Sequence, residues 1–510
     1  MELCMYEGYI RNRKQLLRDL SITEADERTD SDREIILKGF ERWGRDLPAH
    51  LYGSFSFVIR DDVTGRFYCA RDAFGIENFY YCLKEDGGLL YSTDMKTIAD
   101  DPAYHKDLDR EALQLYMMFG YPAGERTLYK GIRKLLPGRY LTLENGKIIT
   151  RIWYRPKFNP DREKTEDEWV SAIEETFGKI LSEDEQNLHS AKCASFLSGG
   201  VDSSYLLAMS KIKNAYGMDF EGGSIKESTY AQRTADTLGA DFHVLNIKAE
   251  TYLAALPDFV RCMELPVADT AGAAFYLGCC HIDHETEIVF SGEGSDEFFA
   301  GYHVYRRSAE LGSKDGPVYV GCDGVMTQNE ALTLLDQKTE FPINDLLKDT
   351  INESCDGLSR MLLADIELWL EGDILFCANR SAKMCGKRVV LPYADRRMFD
   401  ISSAMPSDYK LRGEIGKYAL RCAAKKRLSE DTAFRKKAGY LVPVREWFRL
   451  QEFRDMIRQV VLGDTSRLFF NEKILEQYWK QFIDGGFTQF RVVFAVYLFV
   501  LWYENVYQSL

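Results

Sequence analysis

The segment SFLSGGVDSSYL (Ser195–Leu206) combines paired glycines, serine hydroxyls and one carboxylate between an apolar run and a helix-like stretch. Gly199 and Gly200 permit a tight bend, in which backbone N–H groups at the start of a helix can approach an anion. Ser198 and Ser203 add hydroxyl donors for phosphate oxygens. Because the lysine of a Walker loop is missing, the pattern predicts a phosphate-binding loop of a different kind.

Carboxylates accompany this loop and recur in a second one. Asp202 follows the glycines, where a bare carboxylate would repel phosphates unless it bound a screening magnesium ion. The segment VFSGEGSDEFFAGY (Val289–Tyr302) follows another apolar run and supplies Glu293, Asp296 and Glu297. An acidic helix start, stabilised by the helix dipole, would also explain these carboxylates. One loop with hydroxyls and one with carboxylates, both at strand ends, favour a magnesium–nucleotide site.

Length and charge exclude several classes of protein. A chain of 510 residues is too long for one core, so two or three domains are expected. Its net charge of -14 argues against a broad nucleic-acid surface, because clustered Lys and Arg neutralise phosphates. We find no apolar run near the ~18 residues that span a bilayer and no signal-peptide pattern. We expect a cytoplasmic protein without nucleic-acid or membrane partners.

The 12 cysteines are scattered without CxxC pairs, so the sequence indicates neither a zinc site nor a disulfide framework. We expect them, including the adjacent Cys279 and Cys280, to be buried small hydrophobic residues. His281 and His284 lie beside that pair, but they lack the spacing and further ligands of a metal motif. A structural role is therefore favoured for both histidines.

The first 155 residues predict a mixed α+β domain. GSFSFVIRD (Gly53–Asp61) alternates apolar and other residues with period two, and further short strands follow it. SDREIILKGFERWG, at residues 31–44, has the apolar spacing of a helix that ends at Gly44. The pair Asn145-Gly146 predicts a hairpin that closes the domain.

Residues 155–168, RPKFNPDREKTEDE, are polar and contain prolines, so they are the best candidate for a linker. Beyond them, short apolar runs such as CASFLSGG, FHVLNI and TEIVFSGEG alternate with helical stretches. This alternation predicts an α/β domain with a parallel sheet, whose ligand groups lie at the carboxyl ends of the strands. From about Gly357 onward the chain is mostly helical.

These motifs resemble those of a known family. SFLSGGVDSS resembles the pyrophosphate loop of ATP pyrophosphatases. LSGGVDSS with FSGEGSDEFFAGY resembles the synthetase domain of glutamine-hydrolysing asparagine synthetases, whose relatives include β-lactam synthetases and lasso-peptide cyclases. LYGSFSFVIRD and CARDAFGIENFYY are similar to the amidotransferase half, and MELPVADTAGAAFYL, GKYALRCAAKKRL and FRKKAGYLVPVREWF to the synthetase half. The likeness extends over nearly the whole chain.

This resemblance implies two domains. Residues 1–155 would form a truncated, degenerate glutamine-amidotransferase domain, an Ntn-hydrolase-like sandwich of two antiparallel sheets. Residues 156–510 would form an ATP pyrophosphatase domain of the adenine nucleotide α-hydrolase-like type, which is a parallel sheet with a helical C-terminal part.

The resemblance also implies cofactors, ATP and Mg²⁺, and roles for individual residues. Mg²⁺ would bind Asp202 and Asp296. Lys417 and Lys437 would face the triphosphate and the developing charge, and Glu293 would remove a proton from the attacking nitrogen. ATP would be bound by Leu197, Ser198, Gly199, Gly200, Asp202, Ser203 and Gly292. In the implied reaction a carboxylate attacks the α-phosphate, pyrophosphate leaves, and ammonia or an amine captures the acyl-adenylate.

The amidotransferase half departs from the family pattern. Family members begin with Met, a nucleophilic Cys and Gly, whereas this chain begins MELCMYEGYIRN, and Cys4 cannot replace that thiol. Glu7 replaces an asparagine and would oppose a developing oxyanion, although Gly8, Asn12 and Asp32 are retained. We therefore expect no glutamine hydrolysis. Strands missing from both sheets would leave edges that pair with a second copy or a partner chain, or that local helices cover.

The segment ANRSAKMCGKRVVLPYAD (Ala378–Asp395) departs as well. Asparagine synthetases resemble VDRMSMAHSLEVRVPFLD here, so Asn379 replaces Asp, and Arg380 is retained. Arg388 replaces Glu and Val390 replaces Arg. A buried acid replaced by Arg388 would invert the charge of the substrate pocket, which changes the preferred substrate or breaks the site. We therefore expect a carboxylate substrate other than aspartate.

Three hypotheses remain open. The first is an ATP-dependent amide ligase that joins a carboxylate to free ammonia or an amine, including a version that cyclises a peptide or forms a β-lactam. The second is a non-catalytic binding or regulatory homologue. The third is an ordinary asparagine synthetase whose start has been misassigned.

Overall fold

A computed structural model describes most of the chain. The described residues are 1–22, 32–144, 146–223, 226–313, 319, 321, 324–335, 341–343, 346, 356–436 and 442–509.

The N-terminal part contains two antiparallel sheets. Its strands are β1 (Glu2–Ile10), β2 (Gly53–Arg60), β3 (Phe67–Arg71), β4 (Tyr80–Leu83), β5 (Leu89–Ser92), β6 (Arg133–Lys134), β7 (Arg139–Glu144) and β8 (Lys147–Ile152). One sheet has the order β1-β2-β3-β7-β8, and the other has the order β5-β4-β6. The sandwich expected from the resemblance is therefore confirmed. Association of a second copy or a partner chain with the edges of these sheets stays a prediction.

The period-two pattern of β2 divides the interior into two layers. Phe55, Phe57 and Ile59 pack on one face, against the helix Asp32–Trp43. Val58 points to the other face, where side chains of the second sheet pack. The strand predicted from GSFSFVIRD and the helix predicted at residues 31–44 are both confirmed, although Ser31 lies outside the described residues.

The predicted hairpin also forms, because β7 and β8 pair from Arg139 with Ile152 to Glu144 with Lys147. Gly146 has a φ of +72°, which favours glycine, and Asn145 lies outside the described residues. The next helix, Glu166–Asn187, begins inside the segment predicted as a linker. Thr165 and Glu168 account for this start, because they form a capping box at its first turn.

The C-terminal part contains a five-stranded parallel sheet, as the sequence predicts. Its strands are β9 (Cys193–Phe196), β10 (Asn214–Phe220), β11 (Asp241–Ile247), β12 (Ile288–Phe290) and β13 (Arg388–Val390). Their order is β11-β10-β9-β12-β13. Because β9 and β12 are parallel neighbours, the loops that follow them leave the same edge of the sheet side by side.

Helices connect these strands and form the C-terminal part, together with the short hairpin β14 (Leu411–Arg412) and β15 (Ile415–Gly416). The α-helices of the described residues are Arg13–Asp19, Asp32–Trp43, Leu47–His50, Met95–Ala99, Arg110–Phe119, Glu166–Asn187, Val201–Met209, Glu227–Leu238, Ala249–Met263, Thr270–His281, Ser295–Phe299, Ser308–Leu311, Gln328–Leu335, Gly357–Ala364, Leu375–Met384, Arg396–Ala404, Ser407–Lys410, Tyr418–Lys425, Glu430–Ala433, Val444–Phe448, Gln451–Val461, Asp464–Arg467, Glu472–Ile483 and Phe487–Trp502. Wider π-helical turns occur at Asp365–Ile374 and Tyr503–Tyr507.

One helical stretch in the described part of the chain, Phe487–Tyr507, is long and apolar enough to cross a membrane, so the expectation that the sequence has no such apolar run is wrong. In the fold, 78% of its apolar window is buried inside the protein. Tyr116, from the helix Arg110–Phe119, donates a hydrogen bond from its hydroxyl to the carbonyl of Ala495 at 2.7 Å. The stretch is therefore a core helix against which the N-terminal part packs.

Buried ion pairs join the two parts of the chain. Arg11, on the loop after β1, contacts Asp184 at 2.7 Å and Asp395 at 2.6 Å, and all three side chains are at most 3% exposed. Arg71, at the end of β3, contacts Glu371 at 2.8 Å. A charge that loses its partner inside a protein is strongly destabilising, so these pairs fix how the two parts dock.

We predict that Arg11→Met lowers the free energy of unfolding by roughly 3–5 kcal/mol, because it leaves buried Asp184 without its cation and removes one of the two arginine partners of buried Asp395. Urea denaturation followed by tryptophan fluorescence measures the change. The matched control is Arg13→Met, whose partner Asp32 is 21% exposed, and we expect a loss of about 0–1 kcal/mol there. Equal losses in the two variants would contradict the role given to the buried pairs.

Candidate active site

The loop between β9 and the helix Val201–Met209 is closed by its own hydroxyl groups. The Ser198 N–H donates to Oγ of Ser203 at 3.1 Å, and the Gly200 N–H donates to Oγ of Ser198 at 3.3 Å. Gly199 has a φ of +71°, and a Cβ atom there would lie 2.8 Å from the backbone nitrogen of Ala231. Only glycine therefore fits this position, as a tight anion-binding loop requires.

The loop after β12 touches the first loop. A Cβ atom on Gly292 would lie 3.2 Å from Cβ of Asp202, so the two backbones are in near contact. The Ser291 N–H donates to the carbonyl of Val390, at the end of β13, and Oγ of Ser291 donates to Glu293 at 3.3 Å. The segment 197–203, here called the hydroxyl loop, and the segment 291–297, here called the acidic loop, thus form one site.

Lys417 connects the two loops. Its Nζ lies 2.7 Å from Oδ2 of Asp202, 2.8 Å from Oδ1 of Asp296 and 2.8 Å from Oγ of Ser295. The side chain is 1% exposed, and the backbone adopts a φ of +58°, which is uncommon for a residue with a Cβ atom. Strained backbone of this kind costs roughly 1–3 kcal/mol and is concentrated at functional sites. The ammonium group of Lys417 therefore holds Asp202 and Asp296 together, and the backbone of Lys417 is strained in doing so.

The carboxylates around Lys417 fit a magnesium ion shared with phosphates. Oδ1 of Asp202 is buried and has no hydrogen-bond partner, so it can accept a further ligand. Lys417 contacts both carboxylates, and Arg421 interacts with them electrostatically. The unpartnered oxygen of Asp202 is therefore the observation that favours an added cation. In the described part of the chain no three His, Cys, Asp or Glu side chains form a closed metal site. Mg²⁺ at nucleotide sites commonly uses one or two carboxylates together with phosphate oxygens, which this pair could supply.

Glu297 changes the charge of the acidic loop. Burial, and then the neighbouring Asp296, raise the pKa of Glu297 to about 8. The Tyr302 hydroxyl donates to its Oε1 at 2.7 Å, whereas its Oε2 is buried without a partner. Glu297 therefore carries a proton at neutral pH, and the loop is less negative than its sequence indicates.

Arg435 is a site residue that the sequence did not reveal. Its guanidinium donates to the carbonyl of Gly199 at 2.9 Å, contacts both oxygens of Glu227 at 2.9 Å and lies 3.6 Å from the ring centre of Tyr230. It therefore holds the hydroxyl loop against the helix Glu227–Leu238. Its position two residues before Lys437 was the available signal, but a basic run does not show which cation turns inward.

The structure brings together most of the residues named from the sequence. Those that lie at the two loops or contact them are Leu197, Ser198, Gly199, Gly200, Asp202, Ser203, Gly292, Glu293, Asp296 and Lys417. Lys437 lies outside the described residues.

The role of Asn379, Arg380 and Arg388 in a substrate pocket stays a prediction, and the structure shows what each of them contacts. The Asn379 amide donates to Glu77 at 2.9 Å, and Arg380 contacts Asp94 at 2.5 Å, so both bind the N-terminal part. Arg388 is exposed at the first residue of β13, the end of the strand away from the two loops. The expectation that Arg388 is buried in the place of a pocket acid is therefore wrong. A comparison of residue types with a family does not show whether a side chain is buried.

Comparisons with known proteins agree with this arrangement. A family model described as asparagine synthase matches residues 184–504, and one described as a glutamine amidotransferase domain matches residues 2–154. A glutamine-hydrolysing asparagine synthetase of Bacillus subtilis is 26% identical, over 98% of this chain and 85% of its own length.

Two further relatives show how far the likeness extends. A putative glutamine-hydrolysing asparagine synthetase of Mycobacterium bovis is 26% identical, over 93% of this chain and 80% of its own length. A protein of Gibberella zeae named amidase chry2 is 29% identical, over 54% of this chain and 44% of its own length. The likeness to the synthetases therefore includes both parts of the chain.

We predict that Gly301→Ala destabilises the protein by about 1–3 kcal/mol, because overpacking forces neighbouring atoms apart. The new Cβ atom would lie 1.8 Å from Oδ1 of Asp296 and 2.0 Å from Cε of Lys417. Thermal unfolding measures the loss. The control is Gly178→Ala, whose Cβ would meet only the end of Met209 at 3.4 Å, and no loss is expected. Unchanged stability of Gly301→Ala would contradict the contact between Gly301 and the charged pair.

Proposed function

This chain belongs to the asparagine synthase family, and we propose that it activates a carboxylate with ATP and joins it to ammonia or an amine. The observation that supports this most is the ammonium group of Lys417, held between Asp202 and Asp296 where the hydroxyl loop and the acidic loop meet. A lysine beside two carboxylates can bind an anion that arrives together with a metal ion: the lysine contacts the anion and the carboxylates contact the metal. Pyrophosphate leaving from Mg²⁺·ATP is an anion of this kind.

In this proposal the chain's own groups position the triphosphate and stabilise its departure. Hydroxyl groups of Ser198 and Ser203 and the N–H groups of the glycine turn bind phosphate oxygens, while Arg435 keeps the turn in place. Lys417 stabilises charge that develops on the leaving pyrophosphate. Asp202 and Asp296 would hold Mg²⁺, which screens the phosphates when bound.

Glu293 is the proposed base for the attacking nitrogen. It lies on the acidic loop, partly exposed, and its Oε1 accepts a hydrogen bond from Ser291. A partly exposed carboxylate beside the phosphate loop can reach a nucleophile that approaches from solvent. Val390 lacks the guanidinium group that grips an aspartate side chain, so we propose an acid other than aspartate.

We also propose that the nitrogen does not come from glutamine hydrolysed by this chain. Burial raises the pKa of all three cysteines in residues 1–155, namely Cys4, Cys69 and Cys82, so none is an activated thiol. Glu7, within β1, lies 3.4 Å from Nζ of Lys383 and places a carboxylate where the family pattern has an asparagine. Free ammonia, or the amine of a second substrate, is therefore the proposed donor.

Two alternatives use the same site differently. If the amine belongs to the substrate that is adenylated, the product is a cyclic peptide or a β-lactam, and turnover needs no ammonium. If the chain only binds nucleotide, no pyrophosphate is released. The first alternative follows from the missing glutaminase chemistry. The second is disfavoured by the two charged loops around Lys417.

We predict that Asp202→Asn and Asp296→Asn each slow acid-dependent pyrophosphate release by roughly 10²-fold or more, since each removes one stabiliser of the leaving group. A screen of ATP–pyrophosphate exchange over amino acids and peptides first identifies the acid. Asp283→Asn, an exposed change in the loop before β12, is the matched control and should keep full activity. Full exchange by either site variant would refute the magnesium assignment, and no exchange with any acid would refute the ligase.

We predict that ammonium or an amine supports product formation with the identified acid, whereas glutamine does not. No thiol of the N-terminal part is activated, so added glutamine should yield no glutamate. Product and glutamate are measured by chromatography. The variant Cys4→Ser should match the unchanged protein in every assay. Glutamate production that disappears in Cys4→Ser would show that Cys4 is a glutaminase nucleophile.

A further inference from the structure

Two cysteine thiols lie together on the surface, away from the proposed active site. Cys280 is in the last turn of the helix Thr270–His281, and Cys385 ends the helix Leu375–Met384. Their Sγ atoms are 3.0 Å apart, although the residues are 105 positions apart in the chain. Cys280 is exposed and Cys385 is partly exposed.

This pair lies near the amino ends of the parallel strands. Cys385 precedes Arg388, the first residue of β13, which pairs with Ile288 at the start of β12. The two phosphate-site loops follow the carboxyl ends of β9 and β12, at the opposite edge of the sheet. Because Cys280 is exposed, the expectation that the cysteines are buried small hydrophobic residues is wrong for it. The proposed catalysis does not use this pair.

The surroundings of Cys280 favour its thiolate. A hydrogen bond from the Cys385 thiol lowers the pKa of Cys280 to about 7 against the opposing effect of burial, and the Tyr276 hydroxyl and Lys387 also lower it, while Asp258 opposes them. The pKa of Cys385 is raised by the same hydrogen bond and by burial. Within the described residues every other cysteine pKa that departs from its ordinary value is raised, as for Cys193. Cys280 is thus a nucleophile with a second thiol beside it.

We propose that Cys280 and Cys385 form a dithiol site that is converted reversibly to a disulfide by exchange with a small-molecule disulfide such as oxidised glutathione. The geometry supports this, because a disulfide bond of about 2.05 Å requires the two sulfur atoms to move only about 1 Å closer. No third ligand group completes a metal site there among the residues described. Exposure of Cys280 gives a disulfide reagent access to the pair.

The exchange proceeds in two balanced steps. The Cys280 thiolate attacks one sulfur of oxidised glutathione, so the S–S bond of the reagent breaks and one glutathione thiolate leaves. Cys385 then loses its proton and attacks the sulfur of Cys280 in the mixed disulfide, which releases the second glutathione. In total, two protein thiols and one disulfide become one protein disulfide and two glutathione thiols. Excess reduced thiol drives the reverse reaction.

The bond would connect the ends of two helices that already pack closely, since a Cβ atom on Gly272 would lie 2.9 Å from Sγ of Cys377. The helix Leu375–Met384 carries Asn379 and Arg380, which bind the N-terminal part. Its end would be fastened to the helix Thr270–His281. A cross-link between residues so far apart in the chain restricts the unfolded state, so the oxidised protein should unfold at a higher temperature than the reduced protein.

Mass spectrometry of the full-length protein tests the site. The protein is incubated with oxidised glutathione, remaining thiols are alkylated, and unreduced peptides are analysed. We expect one cross-linked species, two hydrogens lighter than the sum of the peptides that contain Cys280 and Cys385, and its loss on treatment with dithiothreitol. Because Cys279 is next to Cys280, the variant Cys280→Ser assigns the bond and should lack the cross-link.

Two further variants separate the steps. Cys385→Ser should stop at a stable glutathione adduct on Cys280, formed severalfold faster than any adduct on Cys193. Cys193→Ser, at a partly exposed thiol with a raised pKa, is the control and should keep the cross-link. The proposal is overturned if the unchanged protein gives no cross-link at these two residues, or if Cys280 in Cys385→Ser reacts no faster than Cys193.

Discussion

The contact of one buried ammonium group with two carboxylates governs the arrangement of this protein. Lys417 is almost fully buried, and a lone charge in that position would cost several kcal/mol, so Asp202 and Asp296 must both stay beside it. The parallel sheet satisfies this requirement because β9 and β12 are neighbours and release their loops at one edge. Glycine supplies the remaining space, since a Cβ atom on Gly416 would lie 2.3 Å from the carbonyl of Ala300.

The N-terminal part is held by the same kind of interaction. Arg11 and Arg71 each reach across to buried acids of the other part, and apolar residues of both parts pack in one continuous core. Residues that contribute to such a core are constrained by packing and by paired charges, whatever chemistry they perform. The sandwich can therefore keep its place in the fold while its cysteines lie in surroundings that suppress thiolate formation.

Local patterns in the sequence were sufficient for the sheets and for the two loops. Glycine pairs, hydroxyls and carboxylates lie within a few residues of each other, so the chemistry of each loop is visible in one segment, and period-two alternation identified β2. Contacts between distant segments were not visible. Arg435 reaches Gly199, and Cys280 meets Cys385, only because the fold brings them together. For Arg388 the sequence suggested burial where the structure has an exposed side chain, because a comparison of residue types with a family does not show burial.

Three cations, Lys417, Arg421 and Arg435, lie among the carboxylates of this acidic chain's candidate site. Arg421 donates through Nε to the carbonyl of Gly416 and through a second nitrogen to the carbonyls of Ala433 and Arg435. It therefore ties the turn that carries Lys417 to the segment that carries Arg435. Burial lowers the pKa of Arg421, whereas the nearby charges of Asp202 and Asp296 oppose that shift. These hydrogen bonds help to position Lys417 and Arg435 relative to the hydroxyl loop, which Arg435 contacts at the carbonyl of Gly199.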